Sequence, residues 1–286
     1  MSHETTRTIP KSDRPASLEP LAHVAYLFDG SLEGLLSAIF ASYANHEVPE
    51  DMLTVAPNSA QTPLQQRLGQ SVRFIETDFD HAVRVRNGIV REGGNESFEA
   101  ILRASCADDP YAAITVYRFV RFLMDKRARR NKRRSPLEDL ANPIVNDLMR
   151  LRERVINEEE HMRQFIRFNQ LENRVWFARC HPNCALVPLI MGHFHARFGD
   201  EPFMIFDEAH TVCGVCDGKD WRIVLAAPEG IDTEVGSNAL YEEAWKRFYR
   251  ALSIDARFHP ELRRQLMPVR FWKDLPEMQP LAAGLA

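Results

Sequence analysis

The 286-residue chain contains no run approaching the roughly 18 apolar residues that a membrane-spanning helix needs, which argues against a bilayer-embedded role. Cysteine is sparse. Five cysteines, an odd number without an apolar leader ahead of them, point to reduced thiols rather than a disulfide framework. The first twenty residues hold Ser, Thr and Pro but no apolar run, and read as a loose tail rather than a signal peptide, so a cytoplasmic protein is the expectation. The signatures of common reactions are also missing. There is no G-x-x-x-x-G-K-[ST] phosphate loop, no G-x-G-x-x-G fingerprint, no G-x-S-x-G elbow, no H-E-x-x-H zinc helix and no H-x-E with P-C-x-x-C. No internal repeat of fixed period is present. Net positive charge is absent from the chain as a whole, whose formal charge is −4.

Against that background one stretch stands out, "RFLMDKRARRNKRRSP". From Arg118 to Arg134 it holds nine cations (Arg118, Arg121, Lys126, Arg127, Arg129, Arg130, Lys132, Arg133 and Arg134) and one acid, Asp125, a net of +8 that leaves −12 for everything else. Such a cluster neutralises phosphates, and Arg adds bidentate geometry. A solvated loop at a helix C-terminus would look the same. Aromatics interleave with cations in "RQFIRFNQ", "RVWFAR" and "PVRFWK", the mixture with which a single-strand groove holds phosphates and stacks bases. The alternative is core rings with cations snorkelling around them.

A hydrophobic content of 45% and a charged content of 27% suit a globular protein with a real core. "HVAYLF" is strand-like and turns at Asp29 and Gly30 into "SLEGLLSAIFASYA", whose apolar residues recur at helical spacing, with Asp29 or Ser31 as cap. Helices are expected over "DFDHAVRVRNGIV", "SFEAILRASCADDPYAAITVYRFVRFLM" and from Asn142 and Pro143 onward, leading into a strand at about 164–169. Strands at "RVWFARCHP", "PFMIFDE" and "TVCGVCDGKDWRIVLAA", with a helix at "ALVPLIMGHFHARFG", complete an α+β pattern. The expected organisation is a tail (1–20), a mainly helical region with the basic run (21–160), a small antiparallel sheet of about four strands with a helix across it (161–230), and C-terminal helices (231–286).

Several clusters could carry chemistry. Cys180, Cys184, Cys213 and Cys216, with His181, have spacings conceivable for zinc, but residues three apart on a strand face opposite ways, so buried thiols are the better reading and no metal or other cofactor is expected. His193 and Arg197 share a helix face and could hold a phosphate or carboxylate; His193 and His195 do not share one. "EEEHMR" gathers Glu158, Glu159, Glu160, His161 and Arg163 at a helix end, either a charged surface or an acid/base group. Asp29 and Glu33 read first as a helix cap and a first-turn acid, and second as a carboxylate pair.

"YLFDGSLEGLLSAIF", "EEEHMRQFIRF", "HPNCALVPLIMGHFHARFGDEPFMIFD" and "MPVRFWKDLPE" resemble, in this order, an uncharacterised bacterial family associated with DNA metabolism or DNA repair. Members of that family are usually encoded beside a radical-SAM protein of DNA modification or repair, and in some bacteria are joined ahead of a uracil-DNA-glycosylase-like domain. The resemblance spans about Tyr26 to Glu277. It points to Asp29, Gly30, Glu33 and Gly34; to Glu160, His161, Arg167 and Phe168; to His193, Phe194, Arg197, Phe198 and Asp207; and to Met267, Pro268, Arg270, Trp272 and Leu275. The chain departs from it at "HMRQF", which lacks a glycine that often precedes the Phe, and at Cys213 and Cys216, which have no counterpart.

The resemblance implies a pathway rather than a reaction. The first expectation is a DNA-binding accessory protein that presents single-stranded or damaged DNA to a partner enzyme, a radical-SAM protein or a uracil-DNA-glycosylase-like protein. In it the cations at 126–134 position the backbone, Arg167, Arg197 and Arg270 complete the groove, and Phe168, Trp176 or Trp272 stack on bases. The second is an enzyme acting on a lesion, with Asp29, Glu33, Glu160, His161, His193 and Asp207 as candidate catalytic groups. The third is a protein-binding scaffold.

Overall fold

The computed structural model describes residues 23–54, 69–125, 135–171, 174–224, 261, 263–264 and 267–279. The cations at 126–134, the 1–20 tail and the expected C-terminal helices across 231–260 lie outside the described residues. The first strand, β1 (Val24–Phe28), is followed by α1 (Leu32–Ala44). Ser31 caps that helix by accepting the Gly34 N–H at 2.9 Å. β2 (Asp51–Thr54) and β3 (Ser71–Phe74) pair on either side of β1, both parallel to it. A three-stranded parallel sheet therefore sits in a region expected to be mainly helical. Its two outer strands are only four residues long, too short for periodicity to reveal.

Helices then build a layer against this sheet. α2 (Phe79–Ser105) starts at Asp78, whose side chain accepts the His81 N–H at 2.9 Å, and breaks at Gly94, where φ is +76°. Only a residue without Cβ takes that conformation cheaply, so the kink is written in the "GG" pair. α3 (Ala112–Met124) delivers the chain to the basic run. α4 (Pro143–Phe165) has Asn142 as cap, bonded to Ile144 N at 3.0 Å, with Pro143 opening its first turn as expected.

The second sheet has the order β4 (Asn169–Gln170), β5 (Trp176–Cys180), β6 (Phe203–Asp207), β7 (Val212–Cys216) and β8 (Trp221–Val224). The expected strand at 164–169 is shorter and later, because Met162 and Phe165 keep α4 helical and buried to its end. The sheet is mixed rather than antiparallel, with five strands rather than about four. β5 and β6 run parallel because α5 (Val187–Phe198) returns the chain between them; the other neighbours are antiparallel. α5 lies across this sheet as expected. Its Val187 and Met191 approach so closely that a Cβ on Gly214 would overlap them. One contiguous core runs from Tyr26, Phe28 and Ile39 through Phe119 and Leu148 to Phe194 and Phe203, so both sheets and the helices share it, while Phe177, Phe206 and Cys213 form a smaller separate cluster on the second sheet. The fold is α+β. No helix among the described residues is long and apolar enough to cross a membrane.

Candidate functional site: a polar seam between sheet and helices

Three of the four distinctive stretches of sequence converge where the second half of α4, the segment after β5, the β6–β7 turn and the chain end meet. Two ion pairs across more than a hundred residues draw them together. Glu158, almost fully buried on α4, accepts Arg270 Nη1 at 2.6 Å and a second, short contact from Nη2, and also takes the Asn183 backbone N–H at 2.9 Å. Arg167 Nη2 donates to Glu277 at 2.7 Å, and its Nη1 to the Gln164 carbonyl at 2.9 Å. Both guanidinium groups thus face internal carboxylates. Phe271 fills the space behind them, with the Arg270 guanidinium 4.3 Å over its ring and His161 5.7 Å away. Trp272 packs against the core and donates Nε1–H to the Met267 carbonyl at 3.0 Å. The aromatic and basic chain end is a clamp, closed by 3-10 turns at Val269–Asp274 and Pro276–Met278.

The acid-rich end of α4 divides its work. Glu159, buried, pairs with Arg163 and approaches Arg103 Nε at 3.6 Å, while Glu160 is exposed and accepts Arg163 Nη1 at 2.7 Å. His161 stacks with Phe165 at 5.9 Å, and its buried Nδ1, 4.0 Å from Glu158, has no hydrogen bond. Phe168 lies among Phe194, Phe198 and Phe203, and Trp176 stands beside Phe198.

Beyond the clamp lies a second set of charges that sequence reasoning did not assemble. His181 bonds Glu208 at 2.5 Å through Nε2 and Asp274 at 3.2 Å through Nδ1, tying the segment after β5 to the β6–β7 turn and the chain end. One residue earlier, Asp207 is fully buried. Its Oδ1 accepts the Ala209 and His210 backbone N–H groups at 3.0 and 3.2 Å, and its Oδ2 is 2.6 Å from His210 Nδ1. This side-chain turn holds Thr211 at φ +56°, a left-handed conformation that a β-branched residue adopts only under constraint. The Asp207 bond places a proton on His210 Nδ1 and leaves Nε2 as the working nitrogen. Burial pulls the His210 ring down, but the Asp207 hydrogen bond and charge, with Asp108 adding to them, outweigh it and raise its affinity for a proton.

Asp108 belongs to the α2–α3 connection, which is stitched to the segment after β5 by the Ala107–Cys184 bridge and by Ala185 N–H donating to the Cys106 carbonyl at 2.9 Å. Arg154 braces that connection, donating to Asp109 Oδ2 at 2.9 Å and to the Asp108 carbonyl at 3.3 Å. The only sequence signal for this assembly was the "FD" ending β6. His210 and Asp108 fall in connections with no pattern of their own.

The other candidates lie elsewhere. Asp29 closes the β1–α1 turn, accepting Ser31 N–H, Ser31 Oγ–H and Thr77 Oγ1–H at 2.9, 2.7 and 2.7 Å. Burial pushes its carboxyl up, but these bonds hold it below the ordinary value. Gly34 is required there, because a Cβ would overlap the Asp29 carboxylate. Glu33, His193 and Arg197 are exposed, the last two on α5. Burial pushes the thiols of Cys106, Cys180, Cys184 and Cys213 up, and no group of three potential metal ligands occurs among the described residues.

A family model matches residues 111–277, a span reaching from α3 through the clamp, and the chain belongs to that family, DUF4130, a domain of unknown function. No curated protein matches the chain.

Proposed function

We propose that the protein is a DNA-binding accessory component of a DNA repair or modification system, holding single-stranded or damaged DNA for a partner enzyme. The partner in this reading is a radical-SAM DNA modification or repair protein, or a uracil-DNA-glycosylase-like protein, as the resemblance implies. One observation carries it: nine cations against one acid between 118 and 134, in a chain whose remainder sums to −12. An acidic body would repel DNA everywhere except at this run, which orients the encounter as well as supplying its attraction. Arg118, exposed on α3, stands at the root of the run, and Arg197 is a second exposed cation on α5. Arg167 and Arg270 serve this reading by holding the clamp together, since their guanidinium groups face Glu277 and Glu158.

The test is fluorescence-anisotropy binding of single-stranded, duplex and uracil-containing DNA across a salt series. The native chain is compared with a variant in which Arg127, Arg129, Arg130, Arg133 and Arg134 are Ser. For a single strand each lost phosphate contact reduces the slope of log affinity against log salt by about 0.7, so the variant is expected to lose up to ~3.5 of that slope. Equal binding by both forms, or none by either, sinks the proposal and leaves the run as a docking surface for an acidic protein. Asp207 and His210 favour a second reading, an enzyme acting on the lesion, because a carboxylate-held imidazole is the usual acid/base pair. Loss of turnover without loss of binding in His210→Gln would select it.

A further inference from the structure

Phe168, Trp176 and Trp272, the rings expected to stack on bases, pack against the core instead. A base-stacking surface must therefore come from rings that stay exposed. Among the described residues these are Tyr43, Phe74, Phe79, Tyr111 and Trp221. A single exposed ring is ordinary on a protein surface, so exposure alone selects none of them. Contact with a cation does. Of the five, Tyr43 is the one with a guanidinium against its ring, Arg121 Cζ lying 4.8 Å from the centroid. Tyr43 stands in the last turn of α1 and is 39% exposed; Arg121 stands in the last turn of α3. The same guanidinium is 6.0 Å from the ring of Tyr117, buried one turn earlier. Two rings thus fix Arg121, whereas Arg167 and Arg270 are fixed by carboxylates. A guanidinium laid on a ring keeps its N–H fork for phosphate. Arg118, exposed, precedes Arg121 by one turn, and Lys126 follows it by five residues, so the ring stands at the start of the basic run. Asp125, the run's one acid, reduces the attraction there without reversing a net of +8.

We propose that Tyr43 and Arg121 form a stacking platform for one unpaired nucleobase of single-stranded DNA, with Arg121 and Arg118 taking the adjoining phosphates. Aromatic rings beside cations are how single-strand sites hold a base together with its backbone. In a duplex the base faces are covered by their neighbours, so the ring has nothing to stack on. This inference rests on the DNA-binding reading and deepens it. The run attracts any DNA through its phosphates, whereas the platform supplies preference for an unpaired strand. It also draws α1, which precedes the family-matched span of 111–277, into the site.

The experiment compares the native full chain with Tyr43→Ala and Tyr43→Phe on three probes: an oligothymidylate, an abasic oligomer of the same length, and a duplex. Loss of one stacked base is expected to weaken oligothymidylate binding by Tyr43→Ala about 5-fold to 100-fold. Its salt slope, and its affinity for the abasic oligomer and the duplex, should stay as in the native chain, because no phosphate contact is removed. Tyr43→Phe should bind as the native chain does. A second readout needs no variant: oligothymidylate carrying 5-iodouracil, irradiated on the native chain, should crosslink to Tyr43. Equal oligothymidylate affinity in Tyr43→Ala, or crosslinks that fall elsewhere and never on Tyr43, overturns the platform. Salt-dependent binding by the native chain that is lost in the five-Arg variant would leave the DNA reading standing in that event. No binding of any probe by the native chain overturns both, and leaves Tyr43 and Arg121 to a protein partner.

Discussion

Arg270→Ala tests the clamp most directly. Glu158 is 6% exposed and Arg270 33%, and the pair is bidentate. Removing the guanidinium leaves a buried carboxylate with the Asn183 N–H as its remaining hydrogen bond and His161 at 4.0 Å. Breaking a buried pair from one side costs ~3–5 kcal/mol, and because a third of Arg270 is open to water the lower end, ~3 kcal/mol, applies here. For a chain of this size that is a fall in Tm of roughly 6 °C. Urea unfolding checks it through a lower midpoint at unchanged slope. Arg270→Lys should fall between, since an ammonium keeps the charge without the fork. Glu158→Leu with Arg270→Met should recover most of the loss, because no charge is then stranded. A change within ~1 kcal/mol for Arg270→Ala would refute the reasoning, since exposed pairs are worth about this much or less. DNA affinity measured below the variant's transition should be unchanged. A loss there would mean that Arg270 contacts phosphate instead.

Gly34→Ala should destabilise by about 1–3 kcal/mol, because its Cβ would overlap the Asp29 carboxylate, and thermal melting reads the loss. Gly214→Ala, driven into Met191 and Val187, should cost a similar amount and should shift α5 amide resonances, whereas Gly192→Ala, with open space around it, should not. Tyr26 is buried and donates to Glu47 at 2.6 Å, and burial followed by that bond pushes its phenol up to about 12. Its raised value favours the neutral form in the folded state, so its contribution is complete below the unfolded value near 10 and is lost as pH rises toward 12. Ultraviolet titration of the six tyrosines should show Tyr26 lagging, with Tyr43 also delayed because burial pushes its phenol up. The Asp29 carboxyl is held below its ordinary value, so its contribution is present above the unfolded value and is lost as pH falls through the folded one. The stability gap between native and Asp29→Asn should therefore narrow in acid, as read by urea midpoints.

Much of the architecture was legible because it rests on local rules. The Asn142–Pro143 start of α4, the strands at 176–180, 203–207 and 212–216, and α5 all follow from period and capping. The parallel sheet around β1 was not legible, since four-residue strands carry too few alternations, and neither was the parallel β5–β6 pairing, which depends on where α5 returns the chain. Composition and order alone determined the class, the thiol state to expect and the segregation of charge that motivates the DNA reading. Tertiary structure decided which charges are free. Arg167 and Arg270 sit among aromatics like candidate phosphate ligands, yet partners 110 and 112 residues away hold them, and no local pattern encodes a contact across that distance. His210 and Asp108 show the same limit. Each is one polar residue in an irregular connection, and only packing sheet against helices lets the Asp108 charge act on the His210 ring.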